Sequence, residues 1–428
     1  MLLLILTEEK EFKKTPFETL LNPKAIKIII PVAVMVIMSR AFPLFNIVYY
    51  LVPLFFLYFF FTGISFAFRN NFLKTFLLLI LAFGIWASLT SAWSDYPWVS
   101  ISRSGYFMFI SFAAVLGGYL WQQINSGSLS FLLPANIVII SLSLFSLITN
   151  IPAESWTGGN GKGFMGFAGH QNTLASAILF TLPGLITRNS KFKIQNQQSK
   201  KSAARILFLY IFIILNILIL LLTFSRASLL AFICGTIIFL IFNKKWNTLI
   251  YSTAAILLIF CLVWFSPSIK TEFNKFIRKD FPAFYSTREW MWVPSYKAAL
   301  NGGLAGIGYG ISNPDIIVPG TGSYYDNGRY IREKGNSFLA LVEEVGVVGF
   351  MLFLLPLGYL LKMFNKNKAV HPSTIFHQPS SIVISVLVAL LIHSQFEAWM
   401  VGVGSIQLPI FFFYLGSFIN LPLEDSSV

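Results

Sequence analysis

Long apolar runs separated by short polar breaks dominate the pattern of this chain. About twelve of these runs are long enough to cross the roughly 30 Å hydrocarbon core of a bilayer, because a helix rises about 1.5 Å per residue. The pattern predicts spans at approximately 25–42, 44–66, 72–93, 100–121, 130–150, 170–187, 205–223, 226–243, 248–266, 337–362, 380–400 and 404–420. We therefore predict an all-α polytopic membrane protein with a single integral membrane domain over 1–428.

The composition agrees with this prediction and excludes an ordinary soluble domain. Hydrophobic residues make up 56% of the chain and charged residues only 11%, whereas soluble domains carry about 25% charged residues. The net charge is +14. We find no nucleic-acid-binding motif, and basic residues in a membrane protein serve orientation and contact with anionic lipid. We expect membrane lipids as partners and no nucleic acid.

Three short basic segments predict how the chain is oriented. They are 188–205, the turn Asn243-Lys244-Lys245, and 362–371. Cytoplasmic loops carry an excess of Lys and Arg. With twelve spans, all three segments fall on the same side as the two termini, so we predict that both termini are cytoplasmic.

The segment 267–335 is the longest predicted loop, and it falls on the opposite, extracytoplasmic side. It contains Trp290 and Trp292, followed by five glycines at 302, 303, 306, 308 and 310. Long loops are usually functional or disordered. The aromatic and glycine content favours a partly ordered segment that dips into the membrane and lines a cavity.

Two arginines are the most informative polar residues. Arg226 stands between two apolar runs, and Arg288 stands in the aromatic-rich stretch that ends at Trp292. An arginine near the hydrocarbon region costs about 2.5–3.5 kcal/mol and usually faces a cavity or a partner. The planar guanidinium favours phosphate, so the pair suggests a bound anion. The alternatives are an Arg226 that snorkels from a helix end and an Arg288 that is a surface charge.

Two other polar segments fall on the predicted extracytoplasmic side. One is 91–97, followed by Arg103, and its alternative interpretation is an interfacial aromatic turn. The other is the glycine-containing stretch 163–172, which ends with His170 and Asn172. Glycines allow a backbone turn close to a ligand, although Asn172 could instead cap the helix that follows.

Two pairs of polar residues lie within a predicted span or at its start. Asn336 and Glu343 are two helical turns apart and would share a face. His393 and Glu397 have the i, i+4 spacing of neighbours on one helical face. A carboxylate inside a span needs a partner, and a histidine titrates near neutral pH, as a general base requires. The alternative for His393 and Glu397 is a structural hydrogen-bonded pair.

Motifs for metal-dependent chemistry are absent from the sequence. There is no Walker A loop, no zinc-ligand spacing and no Asp-x-Asp pair for a metal-bound nucleotide sugar. We therefore expect no metal and no cofactor. Arg226 and Arg288 could neutralise a diphosphate in place of a metal.

In combination, these motifs resemble the O-antigen ligase and polymerase family of bacterial membrane glycosyltransferases. The matching stretches follow the family's order over roughly 75–360. They are Trp93-Ser94 with Arg103, 166–172, Thr223-Phe224-Ser225-Arg226, Arg288 with Trp292 leading to Gly306-Ile307-Gly308, and Asn336-Ser337-Phe338 leading to Glu343, Gly346 and Gly349.

The resemblance implies a metal-independent, inverting glycosyltransferase of the bacterial inner membrane with its active site on the periplasmic face. The implied partners are an undecaprenyl-diphosphate-linked glycan as donor and a saccharide or lipid-linked acceptor. By motif, Arg226 and Arg288 would bind the diphosphate and stabilise charge on the leaving group. We expect the other contacts with substrate from Arg103, His170, Asn172, Trp292 and Asn336.

The chain departs from the ligase pattern at Gly335, where ligases usually have a histidine proposed to activate the acceptor. Candidate replacements for this base are Glu343, His170 and His393, the last oriented by Glu397. The departure favours a polymerase of polysaccharide repeat units, and a ligase that transfers the glycan to lipid A core is the alternative. A lipid-linked oligosaccharide transporter is the rival from another class. A transporter would have two pseudo-symmetric halves and charged residues along the whole substrate path across the membrane, whereas the charged candidates here fall on one side of the membrane.

Overall fold

A computed structural model describes residues 23–125, 129–152, 155–156, 163–195, 200–266, 271, 286–313, 315–316, 334–370 and 378–419. Within these residues the fold is all-α, as predicted, and the extended pairing is a single bridge between Trp156 and Phe164. The helices are α1 Pro23–Ser39, α2 Val52–Arg69, α3 Asn71–Leu89, α4 Pro97–Asn125, α5 Leu133–Thr149, α6 Gln171–Gln195, α7 Lys200–Leu222, α8 Arg226–Phe242, α9 Trp246–Phe265, α10 Ser286–Gly302, α11 Ser337–Val370, α12 Gln378–His393 and α13 Gln407–Ile419.

Several of these helices are apolar and long enough to cross a membrane. In the described part of the chain, the 5 that qualify by length and composition are Pro43–Arg69, Asn71–Trp93, Pro97–Ile124, Ser130–Thr149 and Ser337–Phe364. Shorter apolar helices are Gln171–Ile186, Leu207–Leu222, Arg226–Phe242, Ser381–His393 and Gln407–Ile419. The chain is thus a helical membrane protein. The count of about twelve spans and the sidedness of the loops stay predictions.

Two basic segments that the sequence placed in loops are largely helical. Helix α6 continues to Gln195 and α7 begins at Lys200, so helix covers most of 188–205. Helix α11 likewise continues to Val370. Lys, Arg, Gln and Ala are good helix formers, and a helix therefore extends past the point where its apolar run ends. Residues 196–199 and 371–377 lie outside the described part.

The predicted span 380–400 was too long, because α12 ends at His393. The amides of Gln395 and Phe396 donate to the carbonyls of Ile392 and His393 at 3.0 Å each, which is the tighter i→i−3 pattern of a turn. Glu397 therefore does not lie on the helical face of His393. We call residues 394–400 the Glu397 turn.

The long predicted loop 267–335 contains ordered structure. Helix α10 lies within it and packs against α11. A compact segment at 303–313 follows, which we call the glycine turn. The stretches 272–285 and 317–333 lie outside the described residues.

Helix α11 is broken at Gly346, and the glycine turn fills the break. Gly346 has φ 70° and ψ −179°, a conformation that only glycine adopts readily. The carbonyls of Glu343 and Glu344 accept hydrogen bonds from the amides of Ile307 at 3.1 Å and Gly308 at 3.0 Å. The glycine turn thereby supplies partners for carbonyls that the break removes from the helical ladder.

The same interlocking continues beyond the break. The amides of Val347 and Val348 donate to the carbonyls of Gly303 at 3.0 Å and Leu304 at 3.2 Å. A side chain at Gly346 would collide with the Leu304 carbonyl. Non-helical backbone at membrane depth requires such internal partners, which explains why the two glycine-containing motifs occur together.

Aromatic side chains pack several of the other helices against one another. Phe59 of α2 contacts Phe413 of α13 edge to face, with ring centroids 5.6 Å apart. Phe107 of α4 contacts Phe412 in the same way at 5.7 Å. Many of the 45 phenylalanines therefore serve helix packing.

Candidate active site

Asn336 joins the start of α11 to the Glu397 turn. Its side-chain oxygen accepts hydrogen bonds from the amides of Phe338 at 2.8 Å and Leu339 at 3.0 Å, which caps α11. Its side-chain nitrogen donates to the carbonyl of Gln395 at 3.0 Å. This predicted substrate-binding residue therefore has a structural position at the junction of two segments.

Ser337 fixes the backbone of the Glu397 turn. Its amide donates to the carbonyl of Ser394 at 2.8 Å, and its hydroxyl donates to the carbonyl of Glu397 at 2.7 Å. The same hydroxyl accepts from the amide of Met400 at 3.2 Å. These bonds span the turn from end to end and hold Glu397 in place.

The Glu397 carboxylate brings two predicted site residues together. Asn172 Nδ2 donates to Glu397 Oε1 at 3.0 Å, and Arg288 Nη2 lies 3.3 Å from the same oxygen. The Arg288 and Glu397 side chains are 20% and 27% exposed, so the pair is accessible. The sequence identified Asn172 and Arg288 as candidates but did not identify Glu397 as their common partner.

Arg226 lies close enough to Arg288 for their charges to interact. It is the first residue of α8 and is partly buried, and the positive charge of Arg288 acts on it. Two like charges held near one another repel, and a bound anion would offset that repulsion. The arrangement therefore suits a ligand with two negative groups.

Helix starts add positive potential to the same region. Helices α6, α8, α10 and α11 begin at Gln171, Arg226, Ser286 and Ser337, next to the residues that contact one another here. A helix N-terminus carries roughly half a positive charge and unsatisfied amides. At the start of α6, the exposed His170 accepts a hydrogen bond from the amide of Asn172 through Nδ1 at 3.2 Å.

Trp292 lies beside the Glu397 turn and occupies the space next to Gly335. Its ring packs against Phe396 with centroids 5.6 Å apart, and its indole nitrogen donates to the Gly335 carbonyl at 3.1 Å. A Cβ atom on residue 335 would lie 3.0 Å from Met291 Cβ and 3.3 Å from Trp292 Cδ1. Any side chain there requires these neighbours to move.

His393 is packed inside the bundle. The residue is 1% exposed, and its Nδ1 accepts a hydrogen bond from Trp399 Nε1 at 3.1 Å. Its ring centroid lies 5.8 Å from that of Phe180, and its Nε2 is buried with no hydrogen-bond partner in the described structure. Because Glu397 bonds Asn172 and Arg288, the carboxylate does not orient this imidazole through a hydrogen bond.

Arg103 and Glu343 lie against the glycine turn rather than the Glu397 turn. Arg103 Nη1 donates to the carbonyl of Gly310 at 2.6 Å. Glu343 is fully buried, its Oε1 accepts from the amide of Asn313 at 2.9 Å, and its Oε2 lies 3.3 Å from Lys334 Nζ. Both side chains therefore anchor the turn, and their predicted roles in substrate contact and catalysis stay predictions.

Lys334 completes a buried ion cluster that the sequence analysis missed. Its Nζ lies 2.6 Å from Glu344 Oε1 and donates to the carbonyl of Ile311 at 2.8 Å. Glu344 Oε2 accepts from the amide of Gly310 at 2.6 Å. Since only Gly335 and Asn336 separate Lys334 from the start of α11, the cluster positions the chain as it enters the site. The sequence does contain a signal for this cluster: Glu343 and Glu344 are adjacent carboxylates in an apolar span, and such carboxylates require a nearby cation.

Metal-ligand clusters are not found in the described part of the chain, where no three His, Cys, Asp or Glu side chains converge. The charged groups of the site are the two arginines and Glu397, supported by an amide and by helix starts. Chemically, this arrangement can bind a diphosphate, place a carboxylate beside it and present an aromatic face.

These features define a helical membrane protein in which Arg288 and Asn172 both contact Glu397 near several helix starts. Residues 211–354 match the family described as O-antigen ligase, which supports an assignment to the O-antigen ligase and polymerase family. The match confirms the resemblance and includes Arg226, Arg288 and the α11 motif, whereas Asn172 and Glu397 lie outside it. No curated protein matches the chain.

Proposed function

We propose that this protein transfers a saccharide from an undecaprenyl diphosphate carrier to an acceptor hydroxyl at the periplasmic face of the inner membrane. The family match supports glycosyl transfer of the O-antigen ligase and polymerase type. One observation carries the proposal: Arg288 and Asn172 both contact Glu397 Oε1, and Arg288 lies within electrostatic range of Arg226. A diphosphate is the ligand chemistry that two adjacent guanidiniums favour.

In the proposed reaction, Arg226 and Arg288 hold the donor diphosphate. The acceptor oxygen attacks the anomeric carbon from the side opposite the diphosphate, and the bond from that carbon to the diphosphate oxygen breaks. The configuration at the carbon inverts. Negative charge grows on the departing oxygen, where the two guanidiniums and the nearby helix starts stabilise it more strongly in the transition state than in the ground state.

The saccharide would lie next to the aromatic face formed by Trp292 and Phe396. These rings pack against one another beside the Glu397 turn, and aromatic faces bind the apolar side of a ring while leaving its edges for polar groups. Asn172 and the exposed His170 at the start of α6 supply such polar groups.

Gly335 favours a polymerase over a ligase within this proposal. The position lacks the ligase histidine, and Met291 and Trp292 fill the adjacent space. A ligase that transfers to lipid A core is the alternative activity of the same site.

The test is an incubation of purified protein with a lipid-linked repeat unit. We expect a ladder of products without any added acceptor. Transfer only in the presence of lipid A core would indicate the ligase. Movement of the intact lipid-linked saccharide across proteoliposomes without a new glycosidic bond would overturn the proposal in favour of a transporter.

A further inference from the structure

The acceptor hydroxyl must lose a proton during glycosyl transfer, and the chain has no side chain at Gly335 to take it. Of the groups considered from sequence, Glu343 has both carboxylate oxygens engaged, by the amide of Asn313 and by Lys334. His393 is 1% exposed, with Nδ1 bonded to Trp399. A general base must reach its proton directly or through one water, and Glu343 and His393 are enclosed by other contacts. His170 is exposed, and its Nδ1 accepts a hydrogen bond from the amide of Asn172.

Glu397 has the access that Glu343 and His393 lack. Its side chain is 27% exposed, and its contacts with Asn172 and Arg288 are both made by Oε1. Across the described residues, no hydrogen bond to its Oε2 is formed. One oxygen thus fixes the carboxylate while the other is available to a substrate hydroxyl.

Arg288 places this carboxylate next to the proposed diphosphate site. Nη2 is the guanidinium nitrogen that contacts Glu397, and Nη1 lies 3.8 Å from Met291 Sδ. A guanidinium has five N–H donors, so the donors that Glu397 leaves unused can bind phosphate. A single arginine therefore connects the leaving group to the carboxylate, and the anomeric carbon would lie beside both.

We propose that Glu397 is the general base of the transfer. This inference rests on the proposed function. Glu397 Oε2 takes the proton of the acceptor hydroxyl as the acceptor oxygen bonds to the anomeric carbon. The bond between that carbon and the diphosphate oxygen breaks, and its electron pair leaves with the diphosphate held by Arg226 and Arg288. The proton then passes from the carboxyl to water. Carboxylates perform the same step in inverting glycoside hydrolases.

The test measures how fast Glu397→Gln transfers the saccharide to a hydroxyl acceptor and to azide, which serves as an alternative acceptor. Gln keeps an oxygen for Asn172 but cannot take a proton, and loss of a general base typically reduces turnover about 10²- to 10⁴-fold. Azide has no proton to lose, and its attack on the anomeric carbon gives a glycosyl azide and the free prenyl diphosphate. We expect Glu397→Gln to bind donor within a few fold of wild type, to lose at least about a hundredfold in transfer to hydroxyl, and to recover with azide.

Matched variants separate the outcomes. Glu289, an exposed carboxylate next to Arg288, provides the control Glu289→Gln, which should transfer as wild type does. Arg288→Ala should stay inactive even with azide, because the leaving group loses its partner.

Three results would overturn the base assignment. They are normal transfer by Glu397→Gln, failure of azide to restore it, or the same azide-rescued loss in His170→Gln or His393→Gln, which would give the role to that imidazole. A wild-type protein that releases no prenyl diphosphate would instead overturn the proposed function, and the base with it.

Discussion

Arg288 and Glu397 are 109 residues apart in sequence, yet Arg288 Nη2 lies 3.3 Å from Glu397 Oε1. The contact joins helix α10, which the sequence assigned to a long loop, to the turn that follows α12. Asn172 reaches the same oxygen from the start of α6. Three distant segments thereby form one partly exposed polar site, and the charge interaction of its Arg288 with Arg226 is the basis for the proposed diphosphate chemistry.

The break in α11 predicts that Gly346 tolerates no side chain. Gly346→Ala would place Cβ against the Leu304 carbonyl at a backbone conformation with φ 70°, and backbone strain of this kind alone costs about 1–3 kcal/mol. We expect a lower thermal unfolding midpoint in detergent. The matched control is Gly358→Ala in the same helix, where nothing lies within 4 Å of the added atom. Equal midpoints for the two variants would contradict the interlocked break.

The buried ion cluster predicts that Lys334 is essential for stability. Lys334→Met leaves Glu343 and Glu344 buried without their cation, and breaking a buried pair from one side costs about 3–5 kcal/mol. We expect loss of the monodisperse peak in size-exclusion chromatography or a strongly lowered unfolding midpoint. Lys297 on α10 is exposed, so Lys297→Met should behave as wild type. A fully stable Lys334→Met protein would refute the anchoring role.

Restoring the ligase histidine should damage this protein. In Gly335→His, the new Cβ would lie 3.0 Å from Met291 Cβ and 3.1 Å from Met291 Cε, so Met291 or the chain entering α11 must shift. We expect reduced turnover and a lower unfolding midpoint. Adding Met291→Ala removes atoms from the crowded space and should recover part of the stability. If Gly335→His alone were as stable and active as wild type, the packing argument would fail.

The predicted sidedness can be measured with single cysteines in a Cys234→Ala, Cys261→Ser background. Lys245 lies in the turn between α8 and α9, Lys297 lies on α10, and both are exposed. We expect an impermeant maleimide to label Lys297→Cys in intact spheroplasts and Lys245→Cys only after disruption. The reverse pattern would invert the topology and move the site to the cytoplasmic face.

The sequence predicted the helical class, which is confirmed, and it singled out Arg226 and Arg288 as site candidates, because both inferences depend on local signals. Apolar run length gives a membrane helix, and an arginine beside such a run requires a partner whatever the fold. The family resemblance added the order of the motifs, and the O-antigen ligase match at residues 211–354 supports that family assignment.

The remaining features depend on contacts between distant segments. Hydropathy did not predict that α12 ends at His393, because the carbonyls of the turn beyond it bind Ser337. It also did not predict that Glu397 would bind Asn172 and Arg288 instead of sharing a helix face with His393. The break at Gly346 was missed for the same reason, although the glycine spacing of both motifs was visible in the sequence.

The central claim is that Arg226 and Arg288 bind the diphosphate of a glycan donor, and the most direct measurement is release of prenyl diphosphate by purified variants. The rate of prenyl diphosphate release should fall about a hundredfold or more in Arg226→Ala and in Arg288→Ala, because charge-assisted contacts that strengthen in the transition state contribute several kcal/mol. Lysine at either position should restore only part of this rate, since lysine lacks the bidentate fork of arginine. Arg69, an exposed arginine at the end of α2, supplies the control Arg69→Ala, which should release prenyl diphosphate at the wild-type rate. Folded Arg226→Ala or Arg288→Ala protein that releases prenyl diphosphate as fast as this control would contradict the account.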